Sequence, residues 1–250
     1  MSRRIRKAII VGASSGIGEA LAQVLAERGA RVALVARRED ELARIAGEIN
    51  ATAGEDRAIY AVHDVVDYGA APALMQDLAR RLDGVDTVIY CAGAMFDVEP
   101  DEFDTEKDLK TLEVNTLGAF AWLNEAARRF GTLGEGSIVG ISSIAGERGR
   151  RGNPAYCTSK AALSTYLESL RNRLEVKGVN VTTIKPGFID TPMVQGRPGL
   201  IWLISPRQAA ETIVKAAESG KNTVYVPGRW RFVAMVLKMI PSFIFRRLNF

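Results

Sequence analysis

The segment from Ala8 to Arg28 constrains the fold of this chain more than any other. Four apolar residues in a row, Ala8-Ile9-Ile10-Val11, are typical of a strand buried on both faces of a parallel sheet. They lead into Gly12-Ala13-Ser14-Ser15-Gly16-Ile17-Gly18, and the residues that follow carry apolar side chains at helical spacing. Such a turn lets backbone approach a pyrophosphate, whose negative charge the helix N-terminus attracts. The alternative is a plain strand–turn–helix connection.

The rest of the chain continues this alternation. Strands are predicted at 6–11, 32–36, 57–62, 85–91, 136–142, 179–185 and 223–226, and helices at 16–28, 38–50, 69–82, 105–130, 154–177 and 206–219. The pattern predicts an α/β fold, a Rossmann-type doubly wound three-layer α/β/α sandwich with a mostly parallel sheet of about seven strands. We expect one domain over 1–228, followed by a basic, apolar extension over 229–250 that is not a separate domain.

Tyr156 and Lys160 are the main candidates for chemistry. Residues four apart lie on one face of a helix. A phenol titrates near pH ~10, and a fixed ammonium beside it favours the phenolate, which brings the group toward acid–base work at neutral pH. The pair by itself is weak evidence, because the same spacing occurs by chance on ordinary helices.

Six motifs in order resemble those of the short-chain dehydrogenase/reductase family, in its form of about this length. They are the glycine turn with Asp64, Cys91-Ala92-Gly93, Asn115, Ser142-Ser143, Tyr156 with Lys160, and Pro186-Gly187 with Thr191. The resemblance spans residues 5–226. It implies a doubly wound domain that transfers hydride between a nicotinamide cofactor and the carbonyl or alcohol group of a small-molecule substrate.

The resemblance also implies the catalytic roles. Tyr156 is the general acid in reduction and the general base in oxidation, and Lys160 binds the nicotinamide ribose and lowers the Tyr156 pKa. Ser143 hydrogen-bonds the substrate oxygen. Asn115 bends its helix and holds a water that relays protons to Lys160. Ser142 should point away, because successive strand residues alternate faces.

The cofactor-binding residues follow from the same resemblance. They are Gly12, Ser14, Ser15, Gly16, Ile17, Gly18, Arg37, Arg38, Asp64, Val65, Cys91, Ala92, Gly93, Tyr156, Lys160, Pro186, Gly187, Ile189 and Thr191. Asp64 should contact the adenine and Val65 the face of its ring, while the Ile189 backbone and the Thr191 hydroxyl fix the nicotinamide carboxamide. The family usually has Asn where Cys91 stands, which puts sheet stability in doubt more than catalysis. We expect no metal site.

The end of the second strand indicates which cofactor is preferred. A protein that prefers NAD usually places an acid there to bind the ribose hydroxyls. This chain has Ala36, followed by Arg37 and Arg38. A guanidinium grips the 2′-phosphate of NADP, which a carboxylate would repel, and Ser14 adds a hydroxyl. We therefore expect NADP(H) rather than NAD(H); the alternative is that both arginines are solvated residues opening a helix.

The substrate is less well specified. The loop 188–205 should cover the pocket with apolar side chains, joined by Phe96 and Val98, which favours an apolar carbonyl or alcohol. The alternative is that these side chains only pack the loop onto the body. Arg148, Arg150 and Arg151 either meet an anionic group or, as we expect, lie in a solvated loop. His63, the single histidine, is expected to be a bystander.

Net charge is +4, but it is unevenly distributed. Residues 1–7 carry four basic groups and residues 229–250 carry five, with no acid in either segment. The basic character therefore reflects two chain ends, and we expect no nucleic-acid partner. Two cysteines give no disulfide framework, and the N-terminal segment lacks a signal peptide, so we expect a cytoplasmic protein.

The tail from 229 to 250 admits three interpretations. Its aromatic residues are Trp230, Phe232, Phe243, Phe245 and Phe250. It is too short and too interrupted for a membrane span. It either packs on the body or on a neighbouring subunit, covers the substrate pocket, or lies on a membrane surface with its basic residues toward anionic lipid. The family commonly forms homodimers or homotetramers through the helices at 105–130 and 154–177.

These observations leave three functions open. The leading hypothesis is an NADP-dependent oxidoreductase. The second is a non-catalytic NADP(H)-binding regulatory or interaction protein on the same fold; relatives of that kind usually lose Tyr, Lys or Ser, and this chain keeps all three. The third is a membrane-surface reductase that modifies lipids.

Overall fold

The computed structural model describes residues 3–99, 101–197 and 199–248; Phe250, assigned above to the apolar tail, lies outside them. Seven strands form one sheet in the order β3-β2-β1-β4-β5-β6-β7, and every neighbouring pair is parallel. The strands are β1 (Lys7–Val11), β2 (Arg31–Ala36), β3 (Ala58–Val62), β4 (Thr87–Tyr90), β5 (Gly136–Ile141), β6 (Val179–Pro186) and β7 (Thr223–Val226). The predicted α/β sandwich is confirmed, and the sheet is parallel throughout.

The helices connect these strands on both faces of the sheet. They are α1 (Gly16–Glu27), α2 (Glu39–Ala53), α3 (Ala71–Arg81), α4 (Thr105–Leu112), α5 (Gly118–Leu133), α6 (Pro154–Leu174), α7 (Pro206–Glu218), α8 (Trp230–Met239) and α9 (Ser242–Phe245). Short 3-10 turns occur at Tyr68–Ala70, Ile144–Glu147 and Glu175–Lys177. Five of the six predicted helices are present within a few residues of the expected bounds, and the one predicted at 105–130 is divided into α4 and α5.

Burial on both faces of the sheet explains why the central strands are unbroken runs of apolar residues. Ile10 and Leu34 belong to an apolar cluster on one face of the sheet, and Ile9 and Ala33 belong to a second cluster on the other face. Val11 lies in register with Val35 on one side and with Tyr90 on the other, which makes β1 a central strand. A strand covered on both faces has no polar side, so its sequence cannot alternate.

The helix predicted at 105–130 is interrupted. Between α4 and α5 the chain widens into a π-helical segment, Glu113–Leu117, with Asn115 at its centre. Such segments are rare in helices and are frequent at functional sites. The bend that the resemblance assigned to Asn115 is therefore present as a change in helical winding.

The tail forms two helices that pack against the body. In α8, Trp230 and Ala234 are buried, and Val233 and Leu237 lie on the same side at spacings of three and four residues. Among the described residues, no helix is both long enough and apolar enough to pass through a membrane.

Candidate active site

A cavity of about 960 Å³ opens at the carboxyl ends of the strands. The loops after β1 to β6 all contribute to its wall, as the doubly wound topology requires. The expected site residues in that wall are Gly12, Ser14, Ser15, Gly16, Ile17, Arg37, Arg38, Asp64, Val65, Cys91, Ala92, Gly93, Ser143, Tyr156, Lys160, Pro186, Gly187, Ile189 and Thr191. Gly18 and Asn115 do not line the cavity and lie behind its wall.

The glycine turn has the close packing that a phosphate-binding loop needs. Gly12 has a φ of 91°, and a Cβ there would overlap the backbone of Ala92. A Cβ on Gly18 would overlap the carbonyl of Gly12, so Gly18 lets α1 start directly beneath the turn. Gly16 has a φ of 59°, and a Cβ there would lie 2.9 Å from the Thr191 side chain, so the two residues are in close contact at the cavity wall. The N-terminus of α1 therefore opens into the cavity behind a loop without side-chain bulk, which fits a pyrophosphate.

Next to this turn lies a basic pocket. The Arg38 guanidinium donates from Nη2 to the Ser14 carbonyl at 2.8 Å, and from Nη2 and Nε to the Ser14 hydroxyl at 3.0 and 3.2 Å. Arg37 is 71% exposed, and its Nη1 lies 3.6 Å from a carboxylate oxygen of Asp64. Of the two arginines, Arg38 is thus fixed to the glycine turn, while Arg37 makes one loose ion pair. Both guanidinium groups border the cavity beside Ala36.

Three side chains expected to be catalytic meet in the middle of the cavity wall. Tyr156 and Lys160 lie on α6, with the Lys160 Nζ 5.6 Å from the centre of the Tyr156 ring. Ser143 hydrogen-bonds Tyr156 and accepts a bond from the Ala145 amide at 3.1 Å. Ser142 points away, as expected, and its hydroxyl bonds the Lys160 carbonyl at 2.8 Å.

Protonation of this group differs from the sequence-based expectation. Burial raises the pKa of Tyr156 above its ordinary value, although the Ser143 hydrogen bond and the charges of Arg150 and Arg197 act in the opposite direction. Burial also lowers the pKa of Lys160 to about 8. The Lys160 ammonium is turned toward the Ile141 carbonyl, to which it donates at 3.0 Å, and it does not lower the Tyr156 pKa in this arrangement.

Asn115 connects two elements of the site through three hydrogen bonds. Its Oδ1 accepts from the Ala94 amide at 2.7 Å, and its Nδ2 donates to the Ala94 carbonyl and to the Ser159 hydroxyl, both at 2.9 Å. A Cβ on Gly93 would lie 3.4 Å from both Asn115 Oδ1 and Lys160 Nζ. Asn115 therefore joins the loop after β4 to helix α6 directly beneath Lys160.

Cys91 follows β4 without disturbing the pairing of β4 with β1. Its amide donates to the Val11 carbonyl at 2.8 Å, which continues the β1–β4 pairing by one residue. Burial raises the pKa of the Cys91 thiol to about 12, so the thiol stays protonated at neutral pH. His63 is also buried, edge-on against Trp122 at 5.5 Å, and contributes to the cavity wall beside Asp64; among the described residues its Nε2 has no hydrogen-bond partner.

The substrate end of the cavity corrects one expectation. Phe188, Met193, Val194, Leu200 and Ile201 of the expected loop line the wall, but Phe96 and Val98 do not, and Met95 takes that place. The tail also contributes, because its side chains Trp230, Val233, Leu237 and Phe245 line the wall. The tail thus packs on its own body and covers the pocket, which combines two of the three interpretations.

Arg148 is the residue that fixes the tail there. Its guanidinium donates to the Leu237 carbonyl at 2.8 Å and to the Ile240 carbonyl, and it stacks on the Phe245 ring at 4.1 Å. The expectation of a solvated side chain was wrong for Arg148, because the free carbonyls at the end of α8 need donors. Beside it, the Glu147 carboxylate accepts from Lys185, Tyr225 and Lys238 at 2.7, 2.7 and 2.5 Å.

Sequence reasoning missed Glu147 altogether. A lone acid before three arginines gives no signal of burial, and its partners come from β6, β7 and α8. The burial of Leu237 could have been predicted from the sequence. Trp230, Val233, Ala234 and Leu237 have the spacing of one buried helix face, but this spacing does not show which part of the protein the face covers.

Comparisons with known proteins agree with this geometry. A family model described as "short chain dehydrogenase" matches residues 6–198. The chain is 32% identical over 241 residues to an "Uncharacterized oxidoreductase" of Myxococcus xanthus (strain DK1622), which covers 96% of this chain and 94% of that protein. It is 34% identical over 233 residues to the cis-4-hydroxycyclohexanecarboxylate dehydrogenase of Sinomonas cyclohexanicum, covering 88% and 92% of the two chains.

Among solved structures, a variant of actinorhodin polyketide ketoreductase with NADPH is similar over 90% of this chain and 97% of that one. Its TM-score is 0.79 and its sequence identity 26%.

Proposed function

This chain belongs to the short-chain dehydrogenase/reductase family, and from that premise we propose that it is an NADP(H)-dependent oxidoreductase acting on a carbonyl or secondary alcohol of a mainly apolar small molecule. That it is an oxidoreductase of this family follows from the match over residues 6–198. The choice of cofactor and the kind of substrate are the proposal.

The observation that carries the proposal is the convergence of Tyr156, Ser143 and Lys160 on the cavity that holds the glycine turn. A nicotinamide cofactor supplies the hydride when bound. Ser143 and Tyr156 both line the cavity and lie within reach of each other, so a carbonyl oxygen placed against the two hydroxyls accepts a hydrogen bond from each. Tyr156 then gives its phenolic proton to that oxygen, and the product is the alcohol. Because all three groups are kept and converge, the non-catalytic alternative is disfavoured.

NADP rather than NAD is supported by charge at the end of β2. Arg38 is held against Ser14, and Arg37 is exposed beside it. The weak 3.6 Å pair between Arg37 and Asp64 leaves guanidinium donors for a phosphate. The solved ketoreductase neighbour with NADPH supports the same choice.

An apolar substrate is supported by the wall beyond Tyr156. Phe188, Met193, Leu200, Val233 and Leu237 surround that end of the cavity. The Sinomonas relative is named for a ring alcohol, which is consistent with a secondary alcohol or ketone of alicyclic size.

The direct test follows the absorbance of NADPH at 340 nm during incubation with a panel of ketones. The panel runs from acetone through cyclohexanone and its substituted forms to decanones. We expect turnover with ring or long-chain ketones and a rate lower by roughly 10²-fold or more when Tyr156 is replaced by Phe. A Tyr156→Phe rate close to that of the wild-type protein, or tighter binding of NADH than NADPH in a fluorescence titration, contradicts the proposal.

A second candidate, a reductase that works at a membrane surface, is favoured by the outer face of the tail. On α8, Phe232, Met235, Val236 and Met239 follow one another at helical spacing and are all more than half exposed. Phe243 on α9 is exposed as well. These side chains point away from the cavity that Trp230, Val233 and Leu237 line.

Charge around this face matches an anionic bilayer. Residues 229–250 and 191–210 contain no acid, and Arg229, Arg231, Arg246 and Arg247 are exposed. The fifth cation of the tail, Lys238, is paired with Glu147. An amphipathic helix with aromatic and basic residues binds in the headgroup region by apolar burial and by attraction to anionic lipid.

Sedimentation with vesicles tests this candidate. The wild-type chain should co-sediment with phosphatidylcholine vesicles containing phosphatidylglycerol, and less with phosphatidylcholine alone. The triple variant Phe232→Ser, Met235→Ser, Met239→Ser should stay in the supernatant while still binding NADPH. Val176→Ser, which removes an apolar side chain that is 89% exposed elsewhere, is the matched control. If only the mass in light scattering changes, the face joins two copies and the membrane candidate is wrong.

A further inference from the structure

The cavity wall is strongly cationic. In the part of the chain that the structure describes, its charged side chains are Arg37, Arg38, Asp64, Arg148, Arg150, Lys160 and Arg197. The wall therefore carries six cations against one anion, Asp64. Such an excess of positive charge attracts anionic ligands, and the phosphates of a nicotinamide cofactor account for the cations near the glycine turn.

Five of these six cations have partners within the protein. Arg37 is paired with Asp64, and Arg38 is bonded to Ser14. Lys160 donates to the Ile141 carbonyl. Arg148 donates to two carbonyls at the end of α8, and Arg197 is paired with Asp97.

Arg150 is the exception among residues 3–99, 101–197 and 199–248. Its guanidinium makes no ion pair and no hydrogen bond there, and its Nε is buried without a partner. The side chain is only half-buried as a whole, yet that nitrogen has lost its water. A buried polar group is normally hydrogen-bonded, and a lone buried N–H is costly.

The position of Arg150 is at the substrate end. It lies on the loop between the 3-10 turn at Ile144–Glu147 and helix α6, close enough to Tyr156 for its charge to act on the phenol. It also borders a smaller adjoining cavity, walled on the other side by Phe245 and Leu248 of the tail.

We propose that Arg150 is a specificity-determining residue that binds a carboxylate on the substrate, so that the substrate is an oxo or hydroxy acid with an apolar body. A guanidinium presents paired N–H groups that match the two oxygens of a carboxylate. The carbonyl lies against Ser143 and Tyr156, the apolar body against the loop and tail, and the carboxylate against Arg150. This inference rests on the proposed function and names its substrate class.

Paired probes of equal shape test the inference. 4-Oxocyclohexanecarboxylate carries the charge, and 4-oxocyclohexanecarboxamide is its neutral counterpart. With NADPH at pH 7, we expect kcat/KM to be at least 10-fold higher for the acid. Arg150→Gln should lower kcat/KM for the acid roughly 10- to 100-fold, the loss of one charge-assisted interaction, and leave the amide within about twofold. Arg150→Lys should recover part of the loss.

Arg151→Gln is the matched control. Arg151 lies on the same loop, but its guanidinium donates to the Arg246 carbonyl and does not border the main cavity. It should leave the preference for the acid unchanged. Equal kcat/KM for the two probes in the wild-type protein, or an equal loss for both in Arg150→Gln, overturns the inference.

A binding arm separates this inference from the reaction itself. Cyclohexanecarboxylate and cyclohexanecarboxamide, which have no ketone, are titrated calorimetrically into the NADPH complex. Tighter binding of the carboxylate that Arg150→Gln removes supports the subsite even when neither ketone is reduced, and it is then the proposed reaction that fails. A carboxylate that binds no tighter than the carboxamide overturns the subsite whatever the turnover.

Discussion

The indole nitrogen of Trp230 lies directly against Gly187. A Cβ placed on Gly187 would be 2.0 Å from Trp230 Nε1, and that nitrogen is buried with no hydrogen-bond partner in the part of the chain that the structure describes. Gly187 belongs to the segment after β6 that the family uses for the nicotinamide, and Trp230 begins the tail. The segment expected to hold the nicotinamide and the tail that covers the pocket are therefore in contact at Gly187.

Gly187→Ala should displace α8. Overpacking of this kind costs roughly 1–3 kcal/mol of stability, and the added methyl has no flexible neighbour to move. We expect a lower Tm and an altered Trp fluorescence, together with a higher KM for the ketone. Gly228→Ala is the control, because a Cβ there would meet nothing within 4 Å. Equal Tm values for the two variants would show that Trp230 moves freely.

Tyr156→Phe should separate binding from catalysis. The phenolic proton is removed while the ring that packs in the cavity is kept. We expect NADPH affinity within a few-fold of wild type and a loss of kcat of roughly 10²–10⁴-fold or more, as for removal of a general acid. Fluorescence titration measures the first quantity and steady-state turnover the second. A loss of both would mean that Tyr156 holds the cofactor site together.

The rate of reduction should fall as pH rises through about 8. Burial lowers the pKa of Lys160 to about 8, so its ammonium is present below that pH and is lost above it. The raised pKa of Tyr156 keeps its proton in place over the same range. We expect kcat/KM to be level from pH 6 to 7.5 and to decline above 8. Lys160→Arg stays charged, so its slower reaction should show no such decline. A flat wild-type profile to pH 9.5 contradicts this assignment.

Cofactor preference should reverse in the double variant Ala36→Asp, Arg37→Ala. It removes the exposed guanidinium beside the 2′ position and adds a carboxylate that repels a phosphate. NADPH should bind more tightly than NADH to the wild-type protein, and less tightly to the variant, by fluorescence titration. Arg80→Ala, which removes an exposed cation on α3 outside the cavity, should leave both affinities unchanged. An unaltered order in the double variant would place the preference with Arg38 and Ser14.

Glu147→Gln should destabilise the fold at neutral pH. Burial raises the pKa of Glu147, but hydrogen bonds from Lys185, Lys238 and Tyr225 outweigh it and hold the pKa below its usual value. Its contribution is therefore present above the ordinary carboxyl pKa and is lost as pH falls through the lowered one.

Removing the charge leaves Lys185, whose side chain is only 12% exposed, without its ion-pair partner, which costs about 3–5 kcal/mol in urea denaturation. Lys238→Met should cost less, because Lys238 is on the surface and Lys185 keeps its partner. Equal losses in the two variants would contradict this order.

Local sequence was sufficient to predict the strands, the helices and the order of the motifs. β1 and β2 are runs of buried residues too apolar for a surface strand, and the Gly12–Gly18 turn can adopt its packing only with glycine where a Cβ would overlap backbone. Parallel pairing then places the ends of all these strands at one edge. The meeting of Ser143, Tyr156 and Lys160 with the glycine turn was therefore predictable.

The protonation of that site was not predictable from spacing. Tyr156 and Lys160 four apart predicted a lowered tyrosine pKa, yet burial raises it and the ammonium turns to the Ile141 carbonyl. Desolvation depends on every element packed around a group, and the distance between two side chains along a helix does not contain it.

Sequence by itself determined the fold, the family and the side chains that converge on the cavity, because those depend on local periodicity and on motifs within single loops. Only the tertiary structure decided that the tail covers the pocket, that Arg148 and Glu147 fix it there, and that Arg150 has no partner among the described residues. Each of these depends on contacts between segments some 80 to 100 residues apart. Because of such contacts, three similar arginines in one loop have three different environments. Burial and hydrogen-bond partners distinguish Arg148, Arg150 and Arg151, and both exist only once the chain has folded.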